Sequence, residues 1–288
     1  MQIQFDSDPR VQLFITQALA EDIGPGDYST LSCIPAFMQG KARLLVKDGG
    51  ILAGVQLAKA ILKQVDAELQ THVYINDGAA VKYGDTAFEV EGSVASILKA
   101  ERLLLNCMQR LSGIATTTQK AVALLNHLPT KILDTRKTTP GMRLLEKWAV
   151  TMGGGHNHRF GLYDMVMLKD NHIDAAGGIT NAITKAKAYL LHNNLDLQIE
   201  VETRNLEEVK QAITAGGIHR IMLDNFELPK LKEAVNMINK QYETEASGGI
   251  TLSNLVSYAE TGVDYISMGA LTHSVKALDL SLKLVQLV

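Results

Sequence analysis

Residues 133–172 read LDTRKTTPGMRLLEKWAVTMGGGHNHRFGLYDMVMLKDNH. Two apolar runs, Lys131-Ile132-Leu133 and Met165-Val166-Met167-Leu168, end abruptly in charge, at Asp134-Thr135-Arg136-Lys137 and Lys169-Asp170-Asn171-His172. Between them lie a helix-like segment from Arg143 to Val150, a triple glycine at 153–155, and His156-Asn157-His158-Arg159. Short strands whose C-terminal ends carry reactive side chains are how a β/α barrel builds an active site. A salt-bridged surface is the alternative reading, but such faces alternate charge along a helix, and here the charges follow buried strands. Cations at this density call for a substrate with several negative charges.

Beyond this stretch strand and helix alternate regularly, which predicts parallel βα units. Leu197–Glu202 is a strand, and Asn205 with Glu208 resembles a capping box ahead of the stripe Leu206, Val209 and Ile213. Gly216-Gly217 stops that helix. Arg220–Asp224 is the next strand, followed by a helix over about 229–240, a weak strand over 243–249, a helix around Leu255 and a last strand over 264–269. About six strands between 131 and 269 are too few for a complete eight-stranded barrel.

Upstream, residues 9–22 and 54–65 carry apolar residues at helical spacing. Residues 41–47 form a strand, and 81–85 and 87–92 read as two short strands paired with each other. This is an α+β domain without a catalytic grouping. Lys99–Leu111 is a helix, broken or kinked at Ser112-Gly113 before a second helical segment over 116–128. The division is therefore an N-terminal α+β domain over 1–113, a β/α barrel over 114–275, and a short C-terminal helix over 276–288 packing back on the first domain.

At 288 residues the chain has ample core for this arrangement. A net charge of −3 gives no global case for nucleic acid or an anionic membrane. Cys33 and Cys107 match no zinc or redox spacing. The N-terminus has no cationic segment followed by an apolar one, and no apolar run approaches the roughly 20 residues needed to cross a bilayer. The expectation is a cytoplasmic protein.

Three groups should converge at the barrel's C-terminal rim. Arg136, Lys137, His158, Arg159 and Lys169 are cationic and suit carboxylate or phosphate. Glu202 and Asp224 sit at strand ends and suit ribose hydroxyls or Mg²⁺; Glu200 shares a strand side with Glu202 and is the alternative carboxylate. Ser247-Gly248-Gly249 and Gly269–His273 are small-residue loops of the kind that hold phosphate through backbone N–H groups. His156 and His158 as a metal pair lack a third ligand nearby, His172 is a capping or core histidine, and Trp148 is most simply core.

The segments DTRKTTPGMRLLEKWAV, GGGHNHRFGLYDMVMLKDNH, IMLDNF, EASGGI and SMGALTHS closely resemble the quinolinate phosphoribosyltransferase family, as does AERLLLNCMQRLSGIAT, which looks like its domain-joining helix. The resemblance implies an N-terminal open-sandwich domain, an incomplete barrel of about seven strands, and a homodimer or assembly of dimers. It implies transfer of phosphoribose from phosphoribosyl pyrophosphate to quinolinate with Mg²⁺, giving nicotinate mononucleotide, CO₂ and pyrophosphate for NAD biosynthesis. By the same resemblance Arg136, His158, Arg159 and Lys169 hold the quinolinate carboxylates, and Lys137 meets a phosphate. Glu202 and Asp224 face ribose, Mg²⁺ and pyrophosphate; Ser247, Gly248, Gly269 and His273 line the 5′-phosphate pocket; Arg102 reaches the partner subunit's site. Lys137, Lys169, Glu202 and Asp224 are the catalytic candidates. TRNLEE departs from the family after Glu202, where another acidic residue is more usual.

Three other readings remain. A paralogue associated with molybdate transport shares the DTRKTTPG-type segment, a non-catalytic barrel would bind an anionic metabolite, and nicotinate phosphoribosyltransferase would act without CO₂ release. The HNHR and LKDNH groups disfavour the first, and the pair Glu202 and Asp224 the second.

Overall fold

A computed structural model describes residues 3–287 and falls into two units by internal contact. The first holds the residues up to Gln119, Thr139–Gly154, and those from Ser274 on; the second holds Lys120–Thr138 and Gly155–His273.

The first unit begins with α1 (Pro9–Ile23), capped by the Asp8 carboxylate, and α2 (Tyr28–Cys33), capped by Asp27. There follow β1 (Gln39–Val46), β2 (Gly50–Ile51), α3 (Val55–Val65), β3 (Gln70–Val73), β4 (Ala80–Val81), β5 (Thr86–Ser93) and α4 (Val94–Leu124). Alternate residues of β1 are buried, as a strand with one face on a core requires. The strands expected at 81–85 and 87–92 do not pair with each other. β4 pairs with β2, while β5 lies between β1 and β3. The turn between them, with Gly84 at φ +89°, carries the chain from one sheet to the other.

α4 is continuous, and Ser112-Gly113 neither breaks nor kinks it into two helices. Ser112 Oγ accepts from Ala53 N–H at 2.9 Å and donates to Ala53 O at 3.1 Å. A Cβ at Gly113 would run into the Lys276 carbonyl. Small residues here admit neighbouring backbone to the helix surface, and the hydroxyls of Thr116, Thr117 and Thr118 donate to carbonyls one turn back.

The second unit's strands alternate with helices: β6 (Lys131–Leu133), α5 (Arg143–Met152, itself within the first unit), β7 (Val166–Leu168), α6 (Asp170–Ala176), α7 (Ile179–His192), β8 (Ile199–Thr203), α8 (Leu206–Ala215), β9 (Arg220–Asp224), α9 (Leu228–Ile238), β10 (Glu243–Ser247), α10 (Leu255–Ala259), β11 (Tyr265–Ser267) and α11 (Ala270–His273). The sheet is parallel, in the order β6-β11-β10-β9-β8-β7. A seventh strand is reduced to one residue: His156 bridges in parallel to Leu133, on the edge of β6. Asn205 caps α8 by accepting from Glu208 N–H, whereas Glu208 Oε2 accepts from Arg204 N–H instead of completing the box.

The expected C-terminal helix is a strand, β12 (Leu280–Leu287), antiparallel to β1; Val288 lies outside the described residues. Leu278, Leu280 and Leu282 alternate with polar residues, and the period of two decides the structure because β1 offers an open edge. Leu282 is buried opposite Leu44, while Leu287 is 58% exposed. Leu282→Ala should therefore cost about 3 kcal/mol in a denaturant melt and Leu287→Ala well under 1 kcal/mol. Equal effects would contradict the strand's alternation.

Candidate active site

Side chains on a strand alternate between faces, so residues two apart share one. On β7–β11 and just past their ends this pairs Met167 with Lys169, Met222 with Asp224, Glu245 with Ser247, and Ser267 with Gly269, and all of these line one cavity of about 890 Å³. Glu202 lines it too, and Glu200 lies one layer deeper, 1% exposed and absent from the cavity wall. Arg136, Lys137, His158, Arg159, Gly248 and His273 complete the set brought together by the chain's second unit. Arg102 is exposed on α4 and does not line this cavity.

The loop after β6 is fixed from both sides. Asp134, fully buried, accepts from Asn157 Nδ2 at 2.6 Å and from His158 N–H at 2.8 Å. Thr272 Oγ1 donates to the Lys137 carbonyl at 2.7 Å, tying that loop to the last one. Gly269 leaves room for the Lys137 stem and the His273 ring. After β7, His172 Nδ1 accepts from Lys169 N–H at 3.0 Å, so this histidine caps α6. Lys169 Nζ then meets Glu202 Oε2 at 3.2 Å.

Two guanidinium groups line the same cavity. Arg159 is 8% exposed and donates from Nη1 to the Met165 carbonyl at 3.2 Å. Burial and the charge of Arg136 both depress its pKa. Arg136 Nε is buried without a hydrogen-bond partner among the described residues. Neighbouring like charges with a buried donor left over suit an anion with more than one negative group. Burial and the neighbouring Glu202 raise the Asp224 carboxyl, while Asn225 Nδ2 donates to its Oδ2 at 2.6 Å.

Under the cavity lies a buried ionic cluster. His158 Nε2 is 3.0 Å from Glu200 and 3.4 Å from Glu245, and Arg220 Nη1 donates to Glu245 at 3.0 Å. Arg220 also stacks on Tyr265, 4.1 Å from the ring centre, and pairs with Glu243 at 2.9 Å. Burial opposes a charged imidazole, but the two carboxylates outweigh it and raise His158 to about 9. Burial and the charge of Glu245 push the Glu200 carboxyl up. Burial works against the Glu245 anion as well, yet His158, Ser267 and Arg220 hold that carboxyl down. His158 Nδ1 accepts from Arg159 N–H at 2.6 Å. His158, Glu200 and Glu245 have the composition of a metal site, but the cations within reach are Arg220 and the imidazole.

Both nitrogens of His158 thus contact protein groups, and the residue also lines the cavity. Sequence reasoning missed Glu245 and Asn225. The parity of Glu245 with Ser247 was available to find the first; nothing in the sequence marked the second. Asn225 adopts the left-handed conformation, φ +55°, and fits against Gly248, where a Cβ would strike its Oδ1.

The chain matches the C-terminal domain of quinolinate phosphoribosyl transferase over residues 114–283 and its N-terminal domain over 27–112. It is 50% identical to quinolinate phosphoribosyltransferase [decarboxylating] 2b, mitochondrial, of Nicotiana tabacum, over 93% of this chain and 80% of that protein. It is 45% identical to a probable nicotinate-nucleotide pyrophosphorylase [carboxylating] of Bacillus subtilis, over 91% of this chain and 89% of that one. The structure superposes on NadC from Streptococcus pyogenes with a TM-score of 0.93 at 39% identity, covering 99% of each chain. With both domains matched, in sequence and in fold, the chain belongs to the quinolinate phosphoribosyltransferase family.

Proposed function

We propose that this chain transfers phosphoribose from phosphoribosyl pyrophosphate to quinolinate with loss of CO₂, giving nicotinate mononucleotide and pyrophosphate for NAD biosynthesis. The observation that carries this reading is that Arg136 and Arg159, close enough for one charge to depress the other's pKa, line the same cavity as Glu202 and Asp224. The first pair suits an acceptor with adjacent carboxylates, the second a sugar that becomes cationic as its leaving group departs.

Quinolinate's ring nitrogen has a free lone pair, so no strong base is required. It attacks ribose C1, the C1–O bond to pyrophosphate breaks, and pyrophosphate leaves with the electron pair. The ring is then a pyridinium. The bond from C2 to its carboxylate breaks, CO₂ departs, and the electrons left on C2 take a proton from solvent. The residues contribute position and charge: Arg136, Arg159 and Lys169 toward the carboxylates, Lys137 toward a phosphate, and Glu202 and Asp224 toward the ribose. His158 contributes through Arg159, since its ring nitrogens are already engaged.

Ser247, Gly248, Gly269 and His273 are our assignment for the 5′-phosphate. Glu202 and Asp224 are hard oxygen donors facing one cavity, a donor set that fits Mg²⁺ directly or through water. When bound, the ion would neutralise charge on pyrophosphate. We assign the protein to a homodimer or an assembly of dimers, with the exposed Arg102 serving the partner's cavity. We also assign it to the cytoplasm; among the described residues no helix is long and apolar enough to cross a membrane.

Incubation with phosphoribosyl pyrophosphate, Mg²⁺ and carboxyl-labelled quinolinate should release CO₂ and mononucleotide in equal amounts. Mononucleotide formed from nicotinate, with none from quinolinate, would overturn the reading. Gly248 sits at φ +97° against Asn225, so Gly248→Ala should displace the phosphate loop. The KM for phosphoribosyl pyrophosphate should rise about tenfold or more, the effect of one lost charge-assisted hydrogen bond, with the KM for quinolinate nearly unchanged. A parallel rise in both constants would remove Gly248 from the phosphate site.

A further inference from the structure

The buried cluster has a feature that packing alone does not require. Glu200, Arg220 and Glu243 stand side by side on β8, β9 and β10, registered Glu200↔Arg220 and Arg220↔Glu243. A structural ion pair would be complete with Arg220 between its carboxylates. Among the described residues Glu200 nevertheless has both oxygens buried without a well-formed hydrogen bond, Oε2 meeting His158 Nε2 only as an ion pair, and Glu245 has one such oxygen, Oε1. Buried oxygens left in this state are costly. Glu200 Oε2 lies 3.0 Å from His158 Nε2, and Glu245 approaches the same nitrogen at 3.4 Å with its other oxygen, Oε2, which also accepts from Arg220. The opposite edge of the same ring receives the Arg159 backbone N–H.

The line of contact runs from Arg220 to Glu245 and Glu200, through the imidazole, to the backbone of Arg159. From there it reaches the guanidinium in the cavity wall. The elements around the ring are accounted for: Glu200 on β8, Arg220 on β9, Glu245 on β10, with Asp134 after β6 gripping the His158 backbone.

We propose that Glu200 and Glu245 are positioning residues for the acceptor end of the reaction. Through His158 they orient Arg159 so that its guanidinium meets a carboxylate of the acceptor. The proposal rests on the reading of the cavity as a quinolinate and phosphoribosyl pyrophosphate site. It gives His158 a role behind Arg159 instead of on the substrate.

The test is steady-state kinetics of Glu200→Gln and Glu245→Gln, each with thermal melting, and a cycle combining Glu200→Gln with His158→Phe. Glutamine keeps the shape and removes the charge. Either single change should raise the KM for quinolinate about tenfold or more, as losing an outer partner of a site group commonly does, with the KM for phosphoribosyl pyrophosphate within about twofold. Equilibrium titration with quinolinate alone should weaken by the same factor. In the His158→Phe background Glu200→Gln should add nothing further, because its effect passes through the ring. An unchanged quinolinate KM, additive effects in the cycle, or both KM values rising together with a lowered melting temperature would overturn the proposal. Wild-type protein inactive on quinolinate would instead sink the functional reading on which it rests.

Discussion

Putting charge on the inner face of a parallel sheet is the constraint on which the rest of this structure depends. Water cannot reach that face below the cavity, so every ion there must find its opposite. Removing one member of a buried pair costs about 3–5 kcal/mol. Arg220 meets the requirement for β9 and β10, and the imidazole of His158 meets it for β8. The consequence reaches upward. With the floor neutral, the layer above it can present unbalanced charge to the cavity, cationic at Arg136 and Arg159 and anionic at Asp224, while Glu202 is paired with Lys169. A catalytic surface needs charges that only a ligand completes, and a balanced floor beneath makes them stable enough to keep.

The same alternation explains how much of the site was legible in the sequence. Charge placed directly after a short apolar run marks a strand end, so Arg136, Lys137, Lys169, Glu202 and Asp224 were all found, and the structure brings them to one cavity. The choice between Glu200 and Glu202 needed the third dimension, since both lie on one side of β8 and only depth separates them. His158 looked like a ligand because its neighbours are cations. That its nitrogens face inward depends on Glu245, some ninety residues away in the chain.

The errors in the fold have a common origin. Ser112-Gly113 has the composition of a helix break, yet in α4 those residues admit the backbone of Ala53 and Lys276. The leucines from 278 to 284 satisfy both helical and strand spacing, and the open edge of β1 decides between them. Lys82–Asp85 is a turn between two sheets where it resembled a hairpin. In each case a partner distant in sequence overrode a correctly read local signal. His156 is the converse: one residue of pairing stands in for the seventh strand, too short for any pattern to reveal.

In the proposed function Arg136 and Arg159 serve the acceptor, while Asp224, Asn225 and Gly248, which line the same cavity, serve the phosphoribosyl group. The claim at the centre of this account is that the paired guanidiniums form a site for two carboxylates. Calorimetric titration with quinolinate and with nicotinate, under identical salt, tests it most directly. A charge-assisted hydrogen bond contributes about 1.5–3 kcal/mol, so nicotinate, one carboxylate short, should bind roughly 10–100-fold more weakly. Equal affinities would contradict the account, because they would mean that only one carboxylate is being held.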